Sequence, residues 1–245
     1  MTLPLWPEKP LPSPDAIRQP KRENHMKWPT IDQIRSFTVL PSGYTWDYLK
    51  CAEIDVAIDF FRTWFPSISV GLGSHFLDRQ FYVDNVVFEG NLERGIFAIV
   101  VRQNHDIVAI ATWEKIDGAD VIFGRVGAVA KPHRQTRLAI AAQDLGEKMG
   151  TFMGAGLIYG MATTSASYMQ QALEHAGYKA VGIMPGFDQE ETEPGTVRRV
   201  YEVIYVKRLA PPSDFLIPSV QNLTPKVARL YAEIFQGDDD TIMVD

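Results

Sequence analysis

The sequence predicts an α/β fold of the α+β kind, in which helices pack on one mixed β-sheet in a single domain with an extension at each end. Three observations lead to this prediction. Short apolar segments rich in β-branched residues lie between residues 95 and 130, with turn signals between them. The apolar spacing becomes helical after residue 136. A buried strand pattern returns at residue 157, so that strand, helix and strand follow one another as in a parallel crossover.

The first three strands are predicted at residues 95–102, 107–115 and 121–130. Asn104-His105-Asp106 separates the first pair, and Asp117-Gly118 is a favourable turn pair before the third. Because tight turns join them, we expect an antiparallel meander.

Two helices are predicted on either side of this meander. The first covers residues 46–65 and ends at Pro66. Its apolar face carries Ile54, Ala57, Ile58, Phe61 and Phe65. Residues 67–94 are expected to form a loop and a short helix. The second helix runs from Thr136 to Met153, and its apolar face carries Leu138, Ala142, Leu145, Met149 and Phe152.

The remaining elements complete the sheet. A buried strand is predicted at 157–164 and a helix at 167–176, which Gly177 closes. Two last strands follow at 179–184 and 197–209, with an acidic loop at 188–193 between them.

Both ends of the chain differ from this body, which we place at residues 31–209. Seven of the 16 prolines fall in residues 1–30, so this stretch is predicted to be an extended arm. Trp6 and Trp28 suggest that parts of the arm lie on the body or on a neighbour, and a flexible tail explains the composition equally well. Residues 210–245 form an extension with a short helix, from a Thr224 cap to Gly237, and an acidic tail.

Composition excludes several functional classes. A net charge of −6 argues against a duplex-DNA binder, and no apolar run reaches the length of a membrane span. No apolar secretory segment opens the chain, so a cytoplasmic location is predicted. The single cysteine, Cys51, excludes an intramolecular disulfide and is expected to be an inert packed thiol. The five histidines show no metal-ligand spacing, so no metal site is expected.

The segment from Gly127 to Ala142 carries the strongest functional signal, because a strand runs through a short basic loop into a helix. The first amides of a helix lack partners and lie at the positive end of its dipole. Such a junction binds phosphate well, and Arg134 and Arg137 add positive charge beside it. Alternatively, the two arginines are solvent-facing residues at the start of a helix and bind no ligand.

This segment resembles the signature of the GNAT acyltransferase superfamily, in which a strand valine and a proline-containing loop precede Arg/Gln-x-x-Gly-x-Gly/Ala. Val129 matches the strand valine, and residues 134–139 occupy the signature. Arg134, Leu138 and Ala139 match, whereas Arg137 replaces the central glycine and Gln135 another frequent glycine. The strand, the helix and the Gly177-Tyr178 pair downstream also follow the order of that family.

The resemblance implies a sheet that is splayed between the strand ending at Ala130 and the strand starting at Leu157, with acetyl-CoA or another acyl-CoA in the gap. Main-chain groups of Gly127, Ala128 and Val129 would pair with the pantetheine arm. The pyrophosphate would be held by the amides of Gln135, Thr136, Arg137, Leu138 and Ala139, with Arg134 beside them. The activity implied is N-acyl transfer, most simply N-acetyl transfer, by direct attack of a small-molecule or peptide amine on the thioester.

The catalytic residues implied are less complete. The position of the tyrosine acid that is frequent in the family holds Leu173, so Tyr168, one turn earlier, is the candidate acid. The family's strand glutamate is missing from 121–130, so Glu114 on the preceding strand is the candidate base. A tyrosine packed on the sheet and a solvent-facing strand glutamate are the alternative interpretations.

Two other functions stay open at this point. The missing acid and base are compatible with a catalytically silent acyl-CoA-binding or regulatory module. A long-chain N-acyl amino acid synthase is compatible with aromatic residues that would line an acyl tunnel or, instead, pack the core: Phe60, Phe61, Trp64, Phe65, Phe76 and Phe81. The acids at 188–193 favour a cationic acceptor or form a solvated loop. The tryptophan-bearing arm is compatible with a homodimer, and neither nucleic acid nor membrane is expected as a partner.

Overall fold

The computed structural model describes residues 26–89, 91–116 and 118–235. Most of the predicted arm, with Trp6, and the acidic tail, with Gly237, lie outside the described residues. Among the helices that are described, none combines the length and the apolar character that a membrane crossing requires.

Eight strands of the described chain form one sheet. They are β1 (Tyr44–Tyr48), β2 (Val86–Val87), β3 (Ile96–Gln103), β4 (Asp106–Ile116), β5 (Val121–Val129), β6 (Leu157–Thr163), β7 (Lys179–Glu193) and β8 (Thr196–Arg208). Their order across the sheet is β1-β3-β4-β5-β6-β8-β7, and β2 pairs with β3. Pairing is antiparallel except between β5 and β6 and between β2 and β3. The predicted mixed sheet and the antiparallel meander of β3, β4 and β5 are therefore confirmed.

Helices cover both faces of this sheet. They are α1 (Ile31–Phe37), α2 (Ile54–Trp64), α3 (Arg79–Asn85), α4 (Leu138–Met153), α5 (Tyr168–His175) and α6 (Pro225–Phe235). α4 provides the crossover between the parallel strands β5 and β6.

The predicted helix at 46–65 is wrong in its first third. Residues 44–48 are β1, which pairs antiparallel with β3, and a 3-10 turn at Cys51–Glu53 precedes α2. The sequence of β1 consists mostly of aromatic and β-branched residues, and its alternation buries Trp46 and Tyr48 against the sheet. Cys51 is exposed on that turn, so the expected packed thiol is also corrected.

The predicted acidic loop at 188–193 is wrong as well, because these residues continue β7. A tight turn at Pro194 and Gly195 joins β7 to β8, and Glu193 pairs with Thr196. Gly195 has a φ of 76°, which a glycine adopts without strain. The acidic side chains are thus held on a paired β-hairpin.

The core is divided by the sheet into two clusters. Trp46, Phe97 and Leu145 belong to the cluster on the face that α1, α4 and α5 cover. Phe61 and Phe76 belong to the cluster under α2 and α3. Every residue of these five is almost fully buried, so each face is sealed by its own helices.

The end of the predicted arm is part of the first cluster. Trp28 is 1% exposed, stacks on Phe97 and donates from Nε1 to the Arg94 carbonyl oxygen (2.8 Å). Lys115 Nζ donates to the carbonyl oxygen of Met26, which is also buried (2.7 Å). Residues from 26 onward therefore belong to the folded body. In α4 the prediction fails at Phe152, which is exposed.

Candidate functional site

A cleft opens where two neighbouring strands separate. β5 and β6 pair from Val121 opposite Leu157 to Gly124 opposite Gly160, and no further. Beyond that point a cleft of about 580 Å³ lies between residues 125–129 of β5 and residues 161–163 of β6. The splay that the sequence resemblance implied is therefore confirmed.

A β-bulge in β5 coincides with this separation. Ala111 of β4 pairs with Gly127 and Trp113 with Gly124, so two residues of β5, Arg125 and Val126, face one residue of β4. That residue is Thr112, whose Oγ1 donates to the Val126 carbonyl oxygen (2.7 Å) and accepts from the Val126 amide (2.9 Å). A bulge bends its strand, and here the bend carries β5 away from β6.

The strand edge that faces the cleft carries main-chain groups without a strand partner. The Ala130 amide donates to Val108 of β4 and Val126 bonds to Thr112, so even-numbered residues point toward β4. By alternation the main-chain groups of Gly127 and Val129 point into the cleft, whereas those of Ala128 point toward β4. The Val129 carbonyl oxygen accepts from Arg134 Nε (3.1 Å). Gly127, Ala128 and Val129 all line the cleft.

The loop after β5 ends in a left-handed residue. A 3-10 turn at Lys131–His133 is followed by Arg137, with φ 64° and ψ 13°, directly before α4. The Ala141 amide makes the first intrahelical bond, to the Arg137 carbonyl oxygen, so the amides of Leu138 and Ala139 precede the helical ladder. Arg137 stands where the GNAT signature has its central glycine, and its positive φ is the conformation that a glycine adopts most easily.

The predicted phosphate-binding residues divide into two groups. Arg134, Leu138 and Ala139 line the cleft, while Gln135, Thr136 and Arg137 lie outside its lining. The Thr136 amide already donates to the His133 carbonyl oxygen (3.2 Å). Arg134 also donates to the Trp64 carbonyl oxygen at the end of α2 (3.1 Å), so its guanidinium joins two walls of the cleft.

The two predicted catalytic residues have different surroundings. Tyr168, the first residue of α5, lines the mouth of the cleft and is 69% exposed. Glu114 lies outside the cleft lining and forms an ion pair with Arg125 (3.0 Å), and it is Arg125 that reaches the cleft. Leu173, at the position of the family's tyrosine, is buried.

One cleft residue was missed by the sequence analysis. Glu202 of β8 is 9% exposed, lines the cleft and pairs in register with Thr163 of β6. A signal was present, because Glu202 interrupts the apolar alternation of Val200, Ile204 and Val206 on one face of β8. Because alternate side chains of a strand point to the same face, a carboxylate among apolar residues on that face is buried together with them.

Two further carboxylates surround Glu202 from β7. Burial first, and then the charges of Asp188 and Glu190, raise the pKa of Glu202 to about 7. Asp188 accepts from the Leu72 amide (2.9 Å), and Glu190 accepts from Ser165 Oγ (3.0 Å). The wall of the cleft formed by β7 and β8 is therefore acidic.

A loop that also lines the cleft packs against this wall. The 3-10 turns at Pro66–Ser69 and Leu72–Leu77 lie against β7, and Ser69 Oγ donates to Glu191 (2.7 Å). Gly71 between them has a φ of 75°, and a side chain there would overlap Asp188. Of the aromatic residues considered for an acyl tunnel, Trp64 and Phe65 line the cleft, whereas Phe60, Phe61 and Phe76 are buried in the second core cluster.

The comparisons with known proteins point to one fold. No family model matches the sequence, and no curated protein matches it. A solved protein from Desulfovibrio desulfuricans that is described as a member of the GNAT family superposes with a TM-score of 0.51, at 11% identity over 68% of this chain and 99% of that chain. The Salmonella typhimurium protein yncA, solved with its cofactor acetyl-CoA, gives a TM-score of 0.55 at 11% identity over 69% and 95% of the two chains. The ribosomal-protein-S18-alanine N-acetyltransferase of Escherichia coli gives 0.52 at 13% identity over 74% and 99%.

These likenesses concern shape, since identities of 11–13% leave few residues in common. The order of strands, the break between β5 and β6 and the helix that starts beside it are nevertheless those that the resemblance in the sequence implied. The chain therefore has the fold of the GNAT N-acetyltransferases.

Proposed function

We propose that the protein is an acyl-CoA-dependent N-acyltransferase, most simply an N-acetyltransferase. The observation that carries this proposal is the break between β5 and β6 directly beside the N-terminus of α4. It brings main-chain groups of a strand edge and helix amides to one cleft. An acyl-CoA needs both, because its pantetheine arm carries amides and its nucleotide end carries phosphates.

The residues present fit such a molecule. Gly127 and Val129 offer strand-edge groups to the pantetheine amides, and the amides of Leu138 and Ala139 offer donors to the pyrophosphate. Arg134 and Arg137 add positive charge at the same end, with Gln135 and Thr136 in the turn between them. Ala128 contributes contact surface rather than main-chain hydrogen bonds.

The acceptor in this proposal is an amine on a small molecule or a peptide. The acidic wall formed by β7 and β8 favours a cationic amine, which a protonated primary amine is at neutral pH. The Escherichia coli neighbour is named for acting on an alanine of a ribosomal protein, and only the general class, an amine acceptor, is carried over here.

The reaction would be direct attack of the amine nitrogen on the thioester carbonyl carbon. Tyr168 remains the predicted acid for the departing thiolate, because it lies at the cleft mouth with its side chain exposed. Glu114, the base predicted from the sequence, lies outside the cleft lining, and its ion pair with Arg125 engages the carboxylate that would have to accept a proton.

Calorimetric titration with acetyl-CoA tests the binding half of the proposal. We expect binding by the unmodified protein and an affinity about tenfold lower in Arg137→Gly, since one guanidinium–phosphate interaction is lost. Glycine suits the positive φ at this position, so the substitution removes the charge without straining the turn. Arg134→Ala is a less selective probe because Arg134 also holds Val129 and Trp64.

Arg79→Ala serves as the control. Arg79 of α3 forms a surface ion pair with Asp55 of α2 and lies outside the cleft lining. An unchanged affinity in Arg137→Gly combined with Arg134→Ala would show that the phosphate-binding assignment is wrong. No heat from the folded protein at high micromolar acetyl-CoA would refute the proposal as a whole.

A second candidate is a silent acyl-CoA-binding module. Two observations favour it: no acid lies on β5, and Leu173 is buried where the family has a tyrosine. CoA release measured across a panel of amines separates the candidates, because the silent module binds acetyl-CoA without releasing CoA from it.

The length of the acyl chain is tested in the same assay. Trp64 and Phe65 in the cleft are the observation that would suit a long chain, as in an N-acyl amino acid synthase. Octanoyl-CoA and palmitoyl-CoA compared with acetyl-CoA decide the matter by their relative kcat/KM values.

A further inference from the structure

The acidic wall of the cleft contains three carboxylates that differ in their partners. Asp188 Oδ1 accepts from the amides of Leu72 and Gln189 (2.9 and 2.8 Å), so it holds the loop that packs against this wall. Glu190 accepts from Ser165 Oγ after β6 (3.0 Å). For Glu202, no donor in the described part of the chain bonds to the carboxylate, and its pKa is set by burial and by neighbouring charges alone.

Glu202 nevertheless has access to the cleft. Every fully buried polar side-chain atom in the described part of the chain has a hydrogen-bond partner. An unpartnered carboxylate is therefore not sealed in the core, and Glu202 lines the cleft while only 9% of its surface is exposed. A bare carboxylate nine-tenths buried costs free energy, which a bound group carrying a proton or a positive charge would recover.

The position of Glu202 in the sheet places it on the acceptor side. It pairs with Thr163 of β6, and its face of the sheet is the one that α2, α3 and the loop at 66–77 cover. The start of α4, where the nucleotide would bind, packs with the opposite face. Acyl-CoA bound along β5 would therefore place its thioester in the gap between β5 and β6. An amine that enters the cleft from the side of β7 would then meet Glu202.

Resting on the proposed function, we infer that Glu202 is the general base, which takes a proton from the ammonium form of a cationic acceptor. The transfer leaves a neutral amine, and its lone pair attacks the thioester carbonyl carbon. The new C–N bond forms and the C–S bond then breaks. The second proton leaves the nitrogen as the amide forms and goes to the departing thiolate, while Glu202 returns its proton to solvent.

Other charged groups in the cleft set the pH at which this base works. The titratable side chains that line it are Asp188 and Glu190 from β7, Arg125 from β5, Arg134 after β5, Tyr168 from α5 and Glu202 itself. Burial, and then the charges of the two acids of β7, disfavour ionisation of Glu202 and raise its pKa to about 7. A base with such a pKa is protonated and deprotonated readily at pH 7.

The test compares Glu202→Gln with Glu193→Gln, which makes the same charge change on the same hairpin but outside the cleft lining. All proteins carry Cys51→Ser, because the exposed Cys51 would react with thiol reagents. CoA release from acetyl-CoA is measured from pH 5.5 to 9.5 with spermidine, lysine, glycinamide and a peptide with N-terminal alanine. Acetyl-CoA affinity is measured by calorimetry for each variant.

For the best of these amines, kcat/KM of the parent protein should rise with pH through a midpoint near 7. Glu202→Gln should lower kcat/KM at pH 7 by about a hundredfold or more with unchanged acetyl-CoA affinity. It should regain activity only at high pH, where the amine loses its proton without help. Glu190→Gln should move the midpoint of the parent profile to lower pH, because a neighbouring negative charge is gone.

The outcomes separate the base from the function. If amines are acetylated but Glu202→Gln stays within threefold of Glu193→Gln, the assignment of Glu202 is overturned while the proposed function stands. If acetyl-CoA binds and no amine reacts, the transferase proposal fails and the base assignment fails with it. If acetyl-CoA does not bind, both fail at the first step.

Discussion

At the scale of single residues, Glu202 illustrates how a buried carboxylate in a cleft reduces stability. Its side chain lies in a strand among apolar neighbours and beside two other acids, so its ionised form is disfavoured in the folded protein. The unfolded chain ionises the same group freely. The stability of the fold therefore falls as pH rises through the interval between the two pKa values.

A stability measurement follows from this difference. The folded pKa of Glu202 is about 7 against an ordinary value of 4.5, so the free-energy cost is absent below pH 4.5 and complete above pH 7. Glu202→Gln removes the ionisation, and the stability that it gains over the parent should be larger at pH 8 than at pH 5 by about 2 kcal/mol. Urea unfolding at the two pH values measures this.

Glu193→Gln provides the reference for this experiment too, since Glu193 is exposed at the end of β7. Its effect should be small and nearly the same at both pH values. A pH-independent effect of Glu202→Gln would mean that the carboxylate is not perturbed by its surroundings.

At the scale of elements, glycines of α4 allow close contact between this helix and the sheet. A Cβ at Gly146 would come within 2.7 Å of Trp113 Nε1 and 3.2 Å of Ile158 Cδ1. Trp113 is buried in the first core cluster and cannot move aside easily. This close approach fixes the start of α4, and therefore its free amides, relative to the cleft.

Gly146→Ala should therefore destabilise the protein by about 1–3 kcal/mol, although alanine is the better helix former. Gly150→Ala on the same helix is the matched comparison. Its Cβ would meet the end of the flexible Leu209 side chain, so the neighbour can shift and the effect should be near neutral. Urea unfolding of both variants checks the ranking, and equal losses would contradict it.

The elements also show where sequence patterns suffice. The spacing of Leu138, Leu145 and Met149 predicts α4 correctly because a helix is specified by its own apolar stripe. The local pattern of β1 predicts part of a helix, because its strand conformation depends on pairing with β3, more than 50 residues away. The acids at 188–193 resembled a loop for the same reason, since only the pairing with β8 holds them extended.

The candidate site shows the same division. Arg134, Leu138 and Ala139 were identified because a strand–loop–helix junction is a local pattern, and the structure places all three in the cleft lining. Glu202 cannot be identified locally, because its place in the cleft depends on a strand far along the chain meeting β6 and β7. The engagement of Arg134 with Trp64 could not be foreseen either, since it joins residues 70 positions apart.

At the scale of the whole molecule, the sheet is joined by few hydrogen-bonded pairs between β5 and β6. The ladder between β5 and β6 ends at Gly124 and Gly160, so the two halves of the sheet are joined over a short length. A ligand that bonds to both edges would join them further. Binding of acetyl-CoA should therefore stabilise the entire fold.

Thermal unfolding measures this effect. At a concentration one hundred times the dissociation constant, acetyl-CoA should add about 2.7 kcal/mol to the free energy of unfolding. For a chain of this length that corresponds to a rise in Tm of about 5–10 °C. Acetyl-pantetheine, which lacks the nucleotide, should give a smaller rise in Tm at the same ligand concentration, because it binds more weakly. An equal rise at that concentration would argue against a phosphate contribution from the α4 junction.

The acidic wall of the hairpin has a consequence for turnover. Under the proposed function, a cationic amine would be drawn toward Asp188, Glu190 and Glu202, and acylation would turn its reacting nitrogen into a neutral amide. The reaction would thereby remove the charge through which the wall attracts that nitrogen. A product with no other positive charge would then leave readily, and the next positively charged molecule would take its place.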